Sequence, residues 1–452
     1  MRTRPASSVR RLRLVAATLA SWAALTGCAT APVPAPTPPP APPAPTSPTT
    51  PATATATVPD VPVAAASAPA QLAAEAATLE QRFAEWVAGF RADAHAQGVD
   101  DATLHAALDD VHYLPRVVEL DRAQPEFTRP VWTYLDGTVS PQRVARGQEK
   151  LQQVRAQADD AAARYGVAAV VLTAIWGIET NYGDFTGSTS TIDALATLGF
   201  DGRRESWARG QLIAALKILQ GGDIDRARML GSWAGAMGQT QLLPSNFLAY
   251  AVDGDGDGRR DIWSSVADAM ASTANFLARS GWRSGEPWGT EVQLPPQFEV
   301  ARADLQTRQS SAQWTAEGVR TIDAAPLPNF EDGAILLPAG ARGPAFLVGP
   351  NFRAILRYNN STNYALAVSL LSQRLAGGPP VRAAWPRELQ ALSRSQLIDL
   401  QSALNAQGFD SGTPDGMVGP ATREALRRFQ RSIGAPADGY PTLELLQRLQ
   451  AP

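Results

Sequence analysis

Cysteine is almost missing from this chain: among 452 residues Cys28 is the only one. A single thiol forms no intrachain disulfide and no thiolate metal cluster. Histidine is nearly as scarce. His95, His105 and His112 are the only three and share one short stretch, so a catalytic metal centre built on histidine is not expected. A basic surplus is lacking too, the formal charge being −3. Setting aside residues 1–27 removes five arginines and no acid and takes the charge to −8, which argues against a nucleic-acid partner. Past Leu25 no run is long and apolar enough to cross a bilayer.

The N-terminus does carry a short apolar run. Arg2, Arg4, Arg10, Arg11 and Arg13 precede Leu14 to Leu25, the charge-then-apolar order of a secretory signal. The run ends in Leu25-Thr26-Gly27-Cys28, which resembles the lipobox of bacterial lipoproteins. That resemblance implies cleavage after residue 27 and lipid on Cys28. Ala29 in the next position, in place of Asp, implies sorting to the outer membrane. The expectation is a periplasmic protein anchored to a membrane and not threaded through it. Residues 31–70 then hold 14 of the 36 prolines with a single charge, Asp60. Such a segment cannot bury a core and reads as a disordered tether over 28–70, reaching at most on the order of 120 Å.

From about Ala73 the pattern turns helical. Leu79, Phe83, Trp86 and Val87 share a face, and Ala/Leu/Gln/Arg-rich stretches cover 141–165 and 205–220. Residues 290–350 hold short apolar pieces such as 319–322 and 334–337 between Pro and Gly, and read as a small β-containing region. Helical pattern returns at 364–375, a Gly-Gly-Pro-Pro break at 377–380 opens a linker over 378–392, and 393–452 reads as a three-helix module. Residues 71–377 form the main domain in this reading.

The stretch Ala174-Ile-Trp-Gly-Ile-Glu179-Thr-Asn-Tyr-Gly183 is the most informative. Val167 to Ile178 contain no charge, so Glu179 sits at the polar end of an apolar helix. Poor solvation raises a carboxyl's pKa and keeps it protonated near neutral pH, as a general acid requires. The alternative for this residue taken alone is a helix-end Glu that points into water.

Five motifs in order carry a family resemblance: Asp121-Arg-Ala-Gln-Pro-Glu-Phe127, Trp176 to Gly183, Phe200-Asp-Gly-Arg-Arg204, Ser232-Trp-Ala-Gly-Ala-Met-Gly-Gln-Thr-Gln241, and Tyr358-Asn-Asn-Ser-Thr-Asn-Tyr-Ala365. Together they resemble the membrane-bound lytic murein transglycosylase B family over roughly 79–375. The resemblance implies a mainly α (α+β), lysozyme-like catalytic domain with a small β region. It implies that Glu179 protonates the β-1,4 oxygen between N-acetylmuramic acid and N-acetylglucosamine in peptidoglycan glycan strands. The muramyl acetamido group then supports the cationic centre, and the Glu179 carboxylate takes the proton of the C6 hydroxyl as that oxygen closes on C1. A 1,6-anhydromuramyl end results, without water and with no cofactor for the chemistry. In this family the positions of Ser232 and Gln241 bind sugar or orient the acid, those of Tyr358, Asn359 and Tyr364 line the cleft, and Met237 is a substrate contact or a core residue. Gly235 and Gly238 would let backbone approach the glycan.

Asp253-Gly-Asp255-Gly-Asp257-Gly-Arg259-Arg-Asp261 has the acid spacing of an EF-hand loop with Gly at its sixth position. Ser264 stands where the closing Glu belongs. Family members close this loop with a later Asp, which makes Asp268 the candidate, with Arg259 offering its carbonyl. Structural Ca2+ and a turn without metal both remain open. The tail, with Leu397 to Phe409, Pro414-Asp-Gly416, Gly419-Pro-Ala-Thr422, Phe429-Gln430 and Asp438-Gly439, resembles a peptidoglycan-binding module. The competing readings are a hydrolytic muramidase, with Asp184, Asp193 or Glu205 as second carboxylate, and a wall-binding lipoprotein without activity. No protein partner is legible.

Overall fold

The computed structural model describes residues 67–123 and 129–451. The signal segment, Cys28, most of the tether and residues 124–127 of the first motif lie outside the described residues.

Helices dominate. The first six are α1 (Ser67–Ala96), α2 (Asp101–Leu108), α3 (Pro115–Ala123), α4 (Val131–Thr138), α5 (Pro141–Gln153) and α6 (Arg155–Tyr165). α1 covers Ser67 to Ala96, so it enters the span expected to be tether, and Pro69 falls near its start, where a missing N–H leaves no bond unmade. The helix expected over 141–165 is two helices. Ser140 caps α5 by accepting from the Arg143 N–H, and Val154, at φ −106°, leaves the helical path with its side chain buried. α5 then packs on α7 (Ala169–Thr180), while α6 packs on both α7 and α11, which is introduced below.

α7 is the spine of the domain. Val171 to Gly177 are buried without interruption, as an uncharged sequence allows. Next come β1 (Thr189–Ser190), α8 (Thr191–Asp201), α9 (Glu205–Gln220) and β2 (Leu230–Gly231), with β1 and β2 paired antiparallel. α10 (Pro244–Tyr250) and α11 (Val266–Arg279) complete this half.

The β region is a five-stranded antiparallel sheet. Its strands are β3 (Gly289–Gln293), β4 (Arg308–Gln309), β5 (Arg320–Thr321), β6 (Gly333–Leu336) and β7 (Ala345–Val348), in the order β4-β6-β7-β3-β5. α12 (Ser311–Ala316) starts at a Ser310/Gln313 capping box and buries Trp314, whose ring N–H reaches the Gly333 carbonyl at 2.9 Å. The chain returns to the helical body through α13 (Pro350–Tyr358) and α14 (Thr362–Leu375), and α14 lies along α7.

The last module is α15 (Arg394–Ala406), α16 (Pro420–Ser432) and α17 (Leu443–Gln450), packed around Leu400, Leu404, Leu426 and Phe429. Among the described residues no single helix is long and apolar enough to cross a membrane.

Candidate functional site

Glu179 is the next-to-last residue of α7 and is half-buried. Enclosure by apolar surroundings lifts its carboxyl from the ordinary 4.5 to about 7. The Tyr364 hydroxyl, brought over it by α14, offsets a smaller part of that rise. This hydroxyl is itself buried and has no partner besides the Glu179 carboxyl. Tyr358 donates to the Thr240 carbonyl at 2.5 Å. Burial, with the nearby Glu179 charge, pushes both phenols well above their usual value, so both stay protonated.

The turn after Glu179 is held from three sides. Asn181, Tyr182 and Gly183 take positive φ values of 53°, 64° and 86° in succession, a run that side chains resist. Thr180, fully buried, donates to the Gln239 carbonyl at 2.6 Å and accepts from the Gly183 N–H at 3.0 Å. Tyr182 packs against Gly177, where an added Cβ would meet its ring at 2.5 Å, and donates to the Arg143 carbonyl at 2.8 Å. The Arg143 guanidinium in turn donates to the Gly177 carbonyl. Thr180 and Arg143 escaped the sequence reading. Their partners lie 59 and 34 residues away, and only the Glu-Thr adjacency hinted at the first.

The 232–242 turn faces this corner. The Ser232 hydroxyl accepts from the Ala234 and Ala236 N–H groups at 3.3 and 3.1 Å, which leaves its own proton to donate. Gln241, at φ 53°, commits its amide protons to the Thr186 and Gly238 carbonyls at 3.0 and 2.9 Å and keeps Oε1 to offer a ligand. Of the two readings of Met237, burial favours the core. Its side chain is fully buried and its backbone bridges Gly231 and Leu242, so it packs in the core and does not meet sugar. Gly235 and Gly238 are also corrected. A Cβ there would strike the Leu195 side chain and the Ile262 carbonyl, so these glycines admit protein and not glycan. Asn359 is exposed at the end of α13.

The carboxylates considered as a second base are occupied. Asp184 is held by Arg146 and by the Asn181 amide at 2.9 Å. Asp193 pairs with Arg226 at 2.9 Å, and Glu205 lies 3.6 Å from Arg209 on the surface. Asp121 and the Phe200–Arg204 motif meet in one cluster, in which buried Asp121 is shared by Arg203 and Arg204.

The acidic loop gathers Asp253, Asp255 and Asp268, whose carboxylate oxygens lie within 4.8 Å of one another. The Asp257 carboxylate stands outside this group and accepts from the Arg259 N–H at 2.8 Å. Asp268 is buried, accepts from the Gly254 and Asp261 N–H groups, and is pushed upward by burial and by the Asp255 charge. Hard oxygen donors crowded this closely suit a calcium ion. The loop abuts the site, since the Gln239 N–H donates to the Ile262 carbonyl at 2.9 Å and the Trp263 ring N–H to that of Leu230 at 3.0 Å.

In the last module two Asp-Gly loops repeat one device. Gln401 Oε1 accepts from the Gly416 N–H and its amide donates to Asp415; Gln430 does the same with Gly439 and Asp438. The second loop also reaches the sheet region, where Asp438 accepts from the Ala341 N–H at 2.8 Å.

Comparison with known proteins recognises two domains. A family model described as the transglycosylase SLT domain matches residues 82–373, and one for a peptidoglycan binding domain matches 393–449. The chain is 37% identical over 214 residues to membrane-bound lytic murein transglycosylase B of Escherichia coli K12, a match spanning 47% of this chain and 58% of that protein. It resembles the crystal structure of SltB3 from Pseudomonas aeruginosa in complex with NAG-anhNAM-pentapeptide, at 52% identity and a TM-score of 0.79, over 82% of this chain and 99% of that one. The Escherichia coli lytic transglycosylase Slt35 in complex with calcium matches at 31% identity and a TM-score of 0.56, over 65% and 92%. With the SLT domain accounting for well over half of its length, the chain belongs to the lytic transglycosylase family and carries a peptidoglycan-binding domain at its C-terminal side.

Proposed function

We propose that this protein is a lytic transglycosylase that cleaves the β-1,4 bond between N-acetylmuramic acid and N-acetylglucosamine in peptidoglycan and leaves 1,6-anhydromuramyl ends, in cell-wall turnover and remodelling. The observation that carries the reading is a single enclosed carboxyl, Glu179, raised to about 7 beside buried phenols. An acid of that pKa gives its proton to the glycosidic oxygen and, as a carboxylate, accepts the proton of the muramyl C6 hydroxyl. The Tyr364 hydroxyl and Gln241 Oε1 are groups that could hold the carboxyl and the sugar in register. Asp184, Asp193 and Glu205 are each tied to an arginine, which speaks against a water-activating base of the two-carboxylate kind.

The remaining parts have supporting roles. Asp253, Asp255 and Asp268 would hold a calcium ion whose charge neutralises their mutual repulsion and stiffens the loop joined to Gln239. The C-terminal module would keep the enzyme on an insoluble polymer and so raise the local concentration of bonds to cut. Lipid on Cys28 and the proline-rich tether would place it in the periplasm, at the outer membrane. The test is Glu179→Gln. It should abolish release of muropeptides from purified sacculi while sacculus binding persists, and a variant that keeps substantial turnover would remove Glu179 from this role.

A further inference from the structure

Among the described aromatic side chains only Phe185 is exposed, with 72% of its surface open to water. Its backbone is not loose. The Phe185 N–H donates to the Thr180 carbonyl at 3.0 Å, and Asp184 before it is held by Arg146 and Asn181. The Thr186 carbonyl after it accepts from Gln241 at 3.0 Å. Gly187, at φ 93°, presses so near β2 that a Cβ there would lie 2.0 Å from the Gly231 carbonyl oxygen, next to Ser232. A clamped strap thus runs from the Glu179 turn to the Ser232 turn and holds one large apolar ring in solvent. The clamped backbone keeps Phe185 beside the Glu179 turn, and Asp184, Thr186 and Ser188 stand next to it along the chain. A pyranose has the matching surface, with a face of C–H groups and an edge of hydroxyls, and aromatic rings give large contact area at low entropic cost.

We propose that Phe185 is a sugar-stacking platform whose ring takes the C–H face of a pyranose in a subsite adjoining the bond that Glu179 acts on. The assignment rests on the glycan-strand reading above and deepens it: the strap would recognise the sugar backbone and not the stem peptide.

The test uses the full chain carrying Glu179→Gln, titrated with peptide-free glycan strands. Phe185→Ala and Phe185→Leu should weaken binding roughly tenfold, and Phe185→Trp should restore it. In the active chain kcat/KM should fall by the same factor, on strands with and without stem peptides, with the unfolding midpoint unchanged. Binding by the Ala or Leu variant equal to that of Phe185 would overturn the proposal. A loss confined to peptide-bearing strands, or a midpoint lowered by several degrees, would overturn it too, since the ring would then serve the peptide or the fold. If the Glu179→Gln parent binds no glycan strand at all, the glycan reading itself fails and the platform with it.

Discussion

Replacing Glu179 with glutamine tests the physical cause of its chemistry apart from the chemistry itself. The fold raises this carboxyl from 4.5 to about 7, a preference for the protonated form of roughly 3 kcal/mol. Because the folded pKa lies above the unfolded one, the folded state holds an extra proton between those values. Unfolding free energy therefore falls as pH rises from 4.5 toward 7, and the full penalty persists above. Glutamine carries no such proton. Denaturant unfolding across about pH 4 to about pH 8 should show the variant gaining on the native protein by roughly 3 kcal/mol, with all of the gain arising between the two pKa values. A stability difference that stays constant over the whole range would refute the claim that burial keeps this acid protonated.

Other expectations follow from the same geometry. Because Glu179 must start protonated, kcat/KM should decline as pH rises past about 7, and a rate that climbs through that region would contradict the assignment. Thr180→Val removes the link to the Gln239 carbonyl without changing shape; it should cost roughly 1–3 kcal/mol in unfolding free energy and lower kcat more than it raises KM. Calcium at about a hundred times its Kd should stabilise the protein by roughly 2.7 kcal/mol, seen as a higher unfolding midpoint. Asp255→Asn should blunt that response, and no response at millimolar calcium would leave the loop as a metal-free turn. Ending the chain after Ala391 should weaken sacculus binding while turnover of a short soluble glycan fragment changes little.

Local patterns were legible and distant contacts were not. The uncharged run before Glu179 announced both a buried helix and an acid held in its neutral form, because each follows from composition within one helix. The Gly-Gly-Pro-Pro break at 377–380 marked the way into the last module in the same local way, and α15 starts past it at Arg394, capped by Ser393. The break at Val154 was hidden, since residues on both sides favour helix and only tertiary packing, which carries α6 on to α11 while α5 stays against α7 and α14, separates them. Met237 lies within the 232–241 motif, yet its bridges to Gly231 and Leu242 turn its side chain inward, a matter of strand register that no motif encodes. Thr180 and Arg143 hold the Glu179 turn through carbonyls far along the chain. A hydrogen bond to backbone asks nothing of the partner's side chain, so the partner's sequence carries no trace of it.

The central claim is that one carboxyl, acting as acid and then as base, closes the sugar on itself without water. The most direct test is digestion of purified sacculi by the protein lacking residues 1–28 in heavy-oxygen water, with released muropeptides weighed by mass spectrometry. The account predicts anhydromuramyl ends, one water lighter than hydrolysis products and free of heavy oxygen. Reducing ends carrying one heavy oxygen each would contradict it and show that a water, placed by some second group, attacks the bond.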